Sequence, residues 1–173
     1  MSKFVVFDRD GTLIEHVRYL NKIEQVTFAE GIFHSLKRLI QNNFRLGIIT
    51  NQSLINRKLG TYEQVDLVNN FIKDQLSANS INIEFILVCP HTAEENCNCR
   101  KPNQKFMDYA INQFGLDTST SFMVGDSNGD MEFGKKGGCR TIQIAGSQSS
   151  SVYADFVSKN LVEACEIILS LSD

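Results

Sequence analysis

The sequence has no proline-rich or low-complexity segment, no cluster of basic residues and no long apolar run, and each absence argues against a class of protein. Only two of its 173 residues are proline and no segment is of low complexity, so the composition is that of an ordinary folded domain. Lys and Arg are scattered and the net charge is −3, which argues against nucleic acid as the main partner. No apolar run approaches the ~20 residues of a membrane span, which argues against a membrane partner.

The N-terminal segment also lacks the features of a secretion signal. It has no basic region followed by a long apolar stretch, and Asp8 comes too early for such a segment. We therefore expect a cytoplasmic chain with reduced thiols, in which the sequon Asn51-Gln52-Ser53 is coincidental. The length fits one domain spanning residues 1–173, and we expect a monomer.

Short apolar segments typical of buried strands alternate with segments in which apolar residues recur at helical spacing. The predicted strands are residues 4–7, 46–50, 85–89, 122–125 and 141–144. The predicted helices lie around residues 32–40, 65–76, 106–114 and 161–169, and a flexible loop at 146–151 precedes the last helix. This alternation predicts an α/β fold, a Rossmann-like parallel sheet with helices on both faces.

Two carboxylates separated by one residue follow the first predicted strand. The apolar run ends at Asp8 and Asp10, and Gly11 lets the chain turn directly after them. The end of a parallel strand is where open α/β sheets bind ligands, and carboxylates this close usually have a cation nearby. A polar turn after an edge strand is the simpler alternative. A calcium loop is excluded, because the positions that need Gly and Glu hold Leu13 and Tyr19.

Polar clusters follow three other predicted strands. They are Thr50-Asn51-Gln52-Ser53, Arg100-Lys101-Pro102 and Gly125-Asp126-Ser127-Asn128-Gly129-Asp130. Each cluster alone could be a polar loop, but the ends of parallel strands converge on one edge of a sheet. That edge would combine four carboxylates, two cations and a hydroxyl. Phosphoryl transfer needs such a set: a carboxylate nucleophile, a carboxylate that moves the proton, a divalent cation, and a lysine and a hydroxyl that hold phosphate oxygens.

A second candidate metal site lies in the loop after the third predicted strand. Three thiols and an imidazole occur within eleven residues: Cys89, His91, Cys97 and Cys99. Four protein ligands of these types suit a closed, tetrahedral zinc site with a structural role. Free thiols or a disulfide are the alternative, and the expected compartment disfavours the disulfide. Because this loop leads directly into Arg100 and Lys101, we expect the metal to fix the segment that aims these two cations.

In its four ordered motifs the chain resembles the haloacid dehalogenase (HAD) superfamily of phosphatases. The matching residues are Asp8-x-Asp10-Gly11-Thr12, Thr50-Asn51, Lys101 and Gly125-Asp126-x3-Asp130. The resemblance implies that Asp8 is the nucleophile and that Asp10 is the general acid and later the base. It implies that Thr50 and Lys101 bind the phosphoryl group. It also implies a magnesium site formed by Asp8, the backbone carbonyl of Asp10, and Asp126, with Asp130 supporting.

The intervals between these motifs are short. The 39 residues between Asp10 and Thr50 suffice for a flap and one helix. The interval from Thr50 to Lys101 is filled by a helix, a strand and the cysteine loop. We therefore expect no cap domain, and an open site whose specificity is set by loops.

The cysteine loop narrows the resemblance. The run Cys-x-His-x5-Cys-x-Cys-Arg-Lys-Pro is similar to the branch that contains the D-glycero-D-manno-heptose 1,7-bisphosphate phosphatases and the histidinol-phosphatase domain. This implies a magnesium-dependent phosphomonoesterase that removes the 7-phosphate of the heptose bisphosphate, in heptose synthesis for lipopolysaccharide or capsule. The residues implied to contact substrate are Tyr19, Thr50, Asn51, Gln52, Ser53, Arg100 and Lys101.

Two features keep other functions open. The five-residue spacer between His91 and Cys97 is similar to the histidinol-phosphatase form, and Ser127 stands where the heptose type has a lysine. Histidinol phosphate or another small sugar phosphate is therefore the alternative substrate. The alternative of another class is an inactive phosphate-binding regulatory module, against which the intact Asp8 and Lys101 argue.

Overall fold

The computed structural model of the chain describes residues 1–146 and 149–172, and in this part of the chain six strands form one parallel sheet. The strands are β1 (Phe4–Phe7), β2 (Arg45–Asn51), β3 (Ile83–Cys89), β4 (Phe122–Gly125), β5 (Arg140–Ile144) and β6 (Phe156–Ser158). Their order is β3-β2-β1-β4-β5-β6, and each neighbouring pair runs parallel. The strand order reverses direction at β1, the point where open α/β sheets have a crevice.

Five helices within the described residues cover the sheet. They are α1 (Ile32–Gln41), α2 (Tyr62–Ala78), α3 (Lys105–Phe114), α4 (Asn128–Lys136) and α5 (Leu161–Ser170). Short 3-10 turns occur at Ile23–Gln25, Ala93–Glu95 and Thr118–Thr120. Among these helices, none combines the length and the apolar character that a membrane crossing requires.

The central strand β1 divides the hydrophobic core into two layers. Its four residues are all fully buried, as expected for a parallel strand covered on both faces. Val5 and Phe7 point into the layer formed with α1, α2 and α5. Phe4 and Val6 point into the layer formed with α3 and α4. The helices therefore lie on both faces of the sheet, as the sequence predicts, and no cap domain is inserted in the described chain.

The sequence pattern locates most of these elements but misses two. All four predicted helices and all five predicted strands are confirmed, with β2, β3 and β5 starting one or two residues earlier. α4 was hidden in the sequence because it begins inside the polar motif at Asn128 and carries two glycines. β6 is only three residues long, too short for a hydrophobic pattern. Of the predicted loop at 146–151, Ser147 and Gln148 lie outside the described residues.

Candidate active site

The polar clusters that follow the predicted strands meet at the carboxyl edge of the sheet. Asp8 follows β1, Thr50 lies near the end of β2 and Asp126 follows β4. Lys101 reaches the same edge from the loop after β3. The backbone N–H of Asp8 donates to the carbonyl of Val124 at 2.9 Å, which joins the first and last motifs. Parallel pairing thus brings residues from distant parts of the chain within contact.

Lys101 is the buried cation at the centre of this edge. Its side chain is 2% exposed, and Nζ lies 2.7 Å from Asp8 Oδ1 and 2.6 Å from Asp130 Oδ1. It also donates to the backbone carbonyl of Ile49. Burial lowers the pKa of Lys101, but Asp130 and Asp8 outweigh it and raise the pKa to about 12. The lysine is therefore an ammonium at neutral pH and offsets the charge of the carboxylates around it.

Asp8 lies in a poorly solvated, negatively charged setting. Burial is the largest effect on its carboxyl group, and together with Asp130 and Asp10 it raises the pKa of Asp8 to about 7, although Lys101 opposes the shift. Burial, followed by Asp130, also raises the pKa of Asp126. In both groups burial is the larger cause and the neighbouring carboxylates add to it, so a cation bound here would stabilise the ionised forms.

The donor set at this point fits magnesium. One carboxylate oxygen from each of Asp8, Asp126 and Asp130 lies within 4.8 Å of the other two. Gly11 allows this approach, because a Cβ there would overlap the Asp126 carboxylate, and its φ of 78° also favours glycine. An all-oxygen set of carboxylates is what a small hard cation such as Mg²⁺ prefers.

Asp130 is held by contacts to both of its oxygens. Oδ1 pairs with Lys101, and Oδ2 accepts from the backbone N–H of Ser127 at 3.1 Å and from its hydroxyl at 2.6 Å. Ser127 is also the N-cap of α4, since its Oγ accepts from the backbone N–H of Asp130. Because both oxygens are engaged, the geometry favours a supporting role for Asp130.

Asp10 faces a different set of partners from Asp8. Its carboxylate is paired with the neighbouring Arg9, with Nε at 3.0 Å from Oδ2 and Nη2 at 3.2 Å from Oδ1. Gln52 Nε2 donates to Asp10 Oδ2 at 2.7 Å and to Thr50 Oγ1 at 2.9 Å. The two carboxylates of the first motif are therefore held independently, one by Lys101 and the other by Arg9 and Gln52.

The side chain of Asn51 is hydrogen-bonded to the loop that carries Lys101. Its Oδ1 accepts from the backbone N–H of Lys101 at 3.1 Å, and its Nδ2 donates to the carbonyl of the same residue at 3.3 Å. Both ends of the amide thus hold the Lys101 backbone. The sequence-based expectation that Asn51 contacts substrate stays a prediction, and a role in fixing the loop has now been observed beside it.

An open pocket of about 190 Å³ lies over Asp10. Its walls come from the segment after β1 and from the end of β2: Asp10, His16, Val17, Arg18, Tyr19, Leu20, Asn51, Gln52, Ser53 and Leu54. The predicted flap therefore shares one cavity with the proposed acid and with four predicted substrate residues: Tyr19, Asn51, Gln52 and Ser53. Thr50, Arg100 and Lys101 are not among its wall residues.

The flap places positive charge at the pocket. The Arg18 guanidinium lies 5.0 Å from the centre of the Tyr19 ring. A hydrogen bond with Arg18 lowers the pKa of the Tyr19 hydroxyl. This wall can therefore interact with an anionic or hydroxylated ligand.

The four predicted zinc ligands form a compact cluster beside this site. The Cys89 and Cys99 sulfurs are 3.2 Å apart, Cys97 lies 3.6 and 3.7 Å from them, and His91 Nδ1 lies 3.3 Å from Cys99 and 3.5 Å from Cys89. These separations exceed the S–S bond of about 2.05 Å, and all five cysteines are free. A tetrahedral zinc with Zn–S bonds of about 2.3 Å separates its sulfurs by roughly 3.8 Å, so the cluster fits zinc.

The cysteine cluster also holds Arg100 directly. The backbone N–H of Arg100 donates to Cys97 Sγ at 3.3 Å, and its guanidinium Nη1 donates to the carbonyl of His91 at 3.0 Å. Cys139 and Cys165 are buried elsewhere in the apolar core. The predicted connection from the cluster to the cationic segment is therefore visible as contacts.

Two side chains that hold Asp10 in place were not predicted from the sequence. Arg9, between the two aspartates, is fully buried beside Asp10, and Asn69 on α2 accepts from it. A charged residue inside a motif at the end of a buried strand was a signal for Arg9. Asn69 had no such signal, because it lies 60 positions away on an amphipathic helix.

Comparisons with known proteins identify the family of the chain. A family model described as HAD-hydrolase-like matches residues 98–164. A D-glycero-beta-D-manno-heptose-1,7-bisphosphate 7-phosphatase of Pasteurella multocida is 35% identical over 142 residues, covering 78% of this chain and 77% of the relative. A D-glycero-alpha-D-manno-heptose-1,7-bisphosphate 7-phosphatase of Campylobacter jejuni is 32% identical over 166 residues, covering 94% and 93%.

A solved structure has the same fold along its whole length. The D,D-heptose 1,7-bisphosphate phosphatase of B. bronchiseptica, complexed with magnesium and phosphate, superposes with a TM-score of 0.84 at 22% identity. The match covers 98% of this chain and 99% of the other. The chain belongs to the HAD-family phosphatases, in the family of the heptose-1,7-bisphosphate 7-phosphatases.

Proposed function

We propose that the chain removes the 7-phosphate of D-glycero-D-manno-heptose 1,7-bisphosphate through an aspartyl-phosphate on Asp8. The observation that carries the proposal is the separate anchoring of two carboxylates at one edge: Asp8 by Lys101, Asp10 by Arg9 and Gln52. A nucleophile and a proton donor need such different settings to act on one substrate. The names of the relatives supply the choice of sugar.

The reaction follows from what each side chain can do. An oxygen of Asp8 attacks phosphorus, and the bond from phosphorus to the sugar oxygen breaks. Asp10 gives its proton to that oxygen, which leaves as the alcohol. Water then attacks the phosphorus, Asp10 takes a proton from it, and inorganic phosphate and free Asp8 are formed. Lys101 and the Thr50 hydroxyl hold the phosphoryl oxygens, since both lie at the same edge of the sheet.

HAD phosphatases use magnesium, and the donor set of this chain fits the ion. Asp8, Asp126 and the backbone carbonyl of Asp10 would hold it, with Asp130 in support through Lys101 and Ser127. When bound, Mg²⁺ would neutralise the excess negative charge of the carboxylates and the phosphate.

A structural zinc is the second metal of the proposal. Cys89, His91, Cys97 and Cys99 would hold it within a loop spanning residues 89–99, in a phosphatase domain that extends over residues 1–173. The contacts of Arg100 with Cys97 and His91 support a role for zinc in fixing the cationic segment. We also propose that the protein acts in the cytoplasm as a monomer on a small phosphorylated sugar.

A phosphate-release screen tests the substrate. Purified protein with Mg²⁺ is assayed on heptose 1,7-bisphosphate, histidinol phosphate and common sugar monophosphates, and NMR identifies which phosphate of the bisphosphate has left. We expect the highest kcat/KM for the bisphosphate, with loss at position 7. Faster hydrolysis of histidinol phosphate would contradict the heptose proposal and favour the alternative that the short His91–Cys97 spacer suggests.

A further inference from the structure

Arg9 is buried next to the proposed proton donor and needs partners to remain there. It is 0% exposed, and an unpaired guanidinium inside a protein is strongly destabilising. Two of its nitrogens contact the two oxygens of Asp10. The remaining one, Nη1, donates to Asn69 Oδ1 at 2.8 Å. All three nitrogens of the guanidinium group are therefore in use, two toward Asp10 and one toward α2.

Asn69 provides a fixed point for this pair. It is 5% exposed and lies on a helix whose buried residues Val65, Val68 and Ile72 pack against the core. Its amide oxygen thus has a position set by α2 and not by the loop after β1. A planar guanidinium that is held at one nitrogen by a rigid acceptor has a defined plane, and that plane orients a carboxylate bound to the other two nitrogens.

Asn69 does not line the substrate pocket. It is absent from the walls of the cavity over Asp10, which are formed by residues 16–20 and 51–54 together with Asp10. The contact that the structure shows between Asn69 and the site is the hydrogen bond with Arg9, through which Asn69 can act on Asp10. Gln52 also donates to Asp10 Oδ2 at 2.7 Å, so two side chains hold the carboxylate.

We infer that Asn69 is a positioning residue that acts through Arg9 to orient the Asp10 carboxyl group toward the oxygen of the leaving alcohol. The inference rests on the proposed role of Asp10 as proton donor. Proton delivery matters greatly for an alkoxide-like leaving group and little for a stable phenolate. A misoriented Asp10 should therefore slow the hydrolysis of a sugar phosphate far more than that of an aryl phosphate.

The experiment compares kcat/KM for a sugar phosphate and for para-nitrophenyl phosphate, since kcat/KM reports the steps through transfer to Asp8. Asn69→Leu is similar in shape but lacks the acceptor. We expect kcat/KM to fall about tenfold on the sugar phosphate and less than about twofold on the aryl ester. The tenfold loss is smaller than the full contribution of general acid catalysis, because Asp10 itself is still present. Asn69→Asp retains an acceptor and should recover the sugar-phosphate activity to within about threefold.

Two control variants separate this effect from a general weakening of α2. Asn70→Leu makes the same change at the next, exposed position of the helix and should leave both rates unchanged. Ile72→Val removes one buried methyl group from the same helix, and should lower the melting temperature without changing the ratio of the two rates. If Asn69→Leu fails to fold, Asn69→Ala carries the test, because it removes the same acceptor and should give the same unequal loss on the two esters.

Each outcome has a distinct meaning. Equal losses on both esters in Asn69→Leu, or no loss on either, would overturn the positioning role while leaving the phosphatase mechanism intact. A loss in Asn69→Asp as large as in Asn69→Leu would also overturn it. Failure of the unmodified protein to hydrolyse either ester would instead contradict the proposed function.

Discussion

The two clusters of metal-binding type differ in how the chain assembles them. The carboxylate cluster joins Asp8, Asp126 and Asp130, with Lys101, from three separate places in the sequence. The cysteine–histidine cluster comes from one eleven-residue stretch, Cys89 to Cys99. The first therefore exists only when the sheet has formed, whereas the second needs little beyond its own loop. Changes in the first should affect chemistry on an intact fold, and changes in the second should affect local order first.

The clusters also differ in how their charge is balanced. The carboxylates surround the ammonium of Lys101, which lies within 2.7 Å of two of them. The sulfur of Cys97 instead accepts hydrogen bonds from backbone N–H groups. Burial raises the pKa of Cys97, but the N–H groups of Arg100 and Cys99 outweigh it and lower the pKa. The carboxylate cluster, which contains its own ammonium group, should thus keep its shape without the proposed magnesium, whereas the cysteine cluster should lose its shape without the proposed zinc.

The largest effect should come from the nucleophile. Asp8→Asn replaces the attacking carboxylate with a poor nucleophile and weakens the proposed magnesium site, so we expect kcat to fall at least about a thousandfold. The fold should persist, because Lys101 retains its pair with Asp130. Phosphate release and a thermal melt measure the two effects together.

Asp66→Asn on the exposed face of α2 is the matched control, since it makes the same chemical change away from the site. It should leave both activity and melting temperature unchanged. Ordinary turnover in folded Asp8→Asn would contradict the aspartyl-phosphate mechanism.

Loss of a cysteine ligand should lower stability more than activity, the reverse of what we expect for Asp8→Asn. Cys97→Ser should release the proposed zinc, lower the melting temperature, and reduce kcat/KM by roughly tenfold because the segment with Arg100 and Lys101 loosens. Elemental analysis of protein purified without chelator should give about one zinc per chain for the unmodified protein and little for the variant.

Cys165→Ala is the control for a cysteine that lies in the apolar core. It should lower the melting temperature while zinc and activity are retained. Unmodified protein without zinc, or with a disulfide between Cys97 and Cys99 under reducing conditions, would argue against the structural site.

The choice of a bisphosphate tests how the two clusters cooperate. Arg100 is held by Cys97 and His91 beside the catalytic edge, so its guanidinium can bind a second, remote phosphate while Lys101 is engaged with Asp8. Arg100→Ala should lower kcat/KM for heptose 1,7-bisphosphate by about tenfold, and that for para-nitrophenyl phosphate by no more than about threefold.

Arg140→Ala is the control, because Arg140 is an exposed arginine at the opposite end of the sheet, where β5 begins. It should alter neither rate. An equal loss on both esters in Arg100→Ala would mean that the arginine supports the edge and does not select the substrate.

The sequence predicted the positions of the site residues better than their partners. Asp8, Lys101 and Asp126 converge as expected, because parallel strands end on one edge: Asp8 and Asp126 follow apolar runs, and Lys101 lies in the loop after β3. The pairing of Arg9 with Asn69 depends on which face α2 turns to the sheet, and side-chain spacing does not encode that contact. α4 was missed for a related reason: its first turn coincides with a ligand motif, so its polar residues serve the site and conceal the helical pattern.

The smallest expected effect concerns Ser127, which connects α4 to the carboxylate cluster. Its hydroxyl caps the helix and holds Asp130 Oδ2, so Ser127→Ala should cost about 1 kcal/mol of stability and lower activity a few-fold. Ser127→Lys loses the same hydroxyl but places a cation beside Asp126. The two variants share the capping loss, so any difference between them reports the added charge alone.

We expect Ser127→Lys to have a lower KM for heptose 1,7-bisphosphate than Ser127→Ala by roughly threefold, with no difference between them on para-nitrophenyl phosphate. Steady-state kinetics of the pair at two salt concentrations measures this, because an electrostatic gain should shrink as salt rises. Equal KM values would mean that a cation at this position does not reach the substrate. Ser127 would then serve only to hold Asp130, and selection of the bisphosphate would depend on Arg100 and the flap.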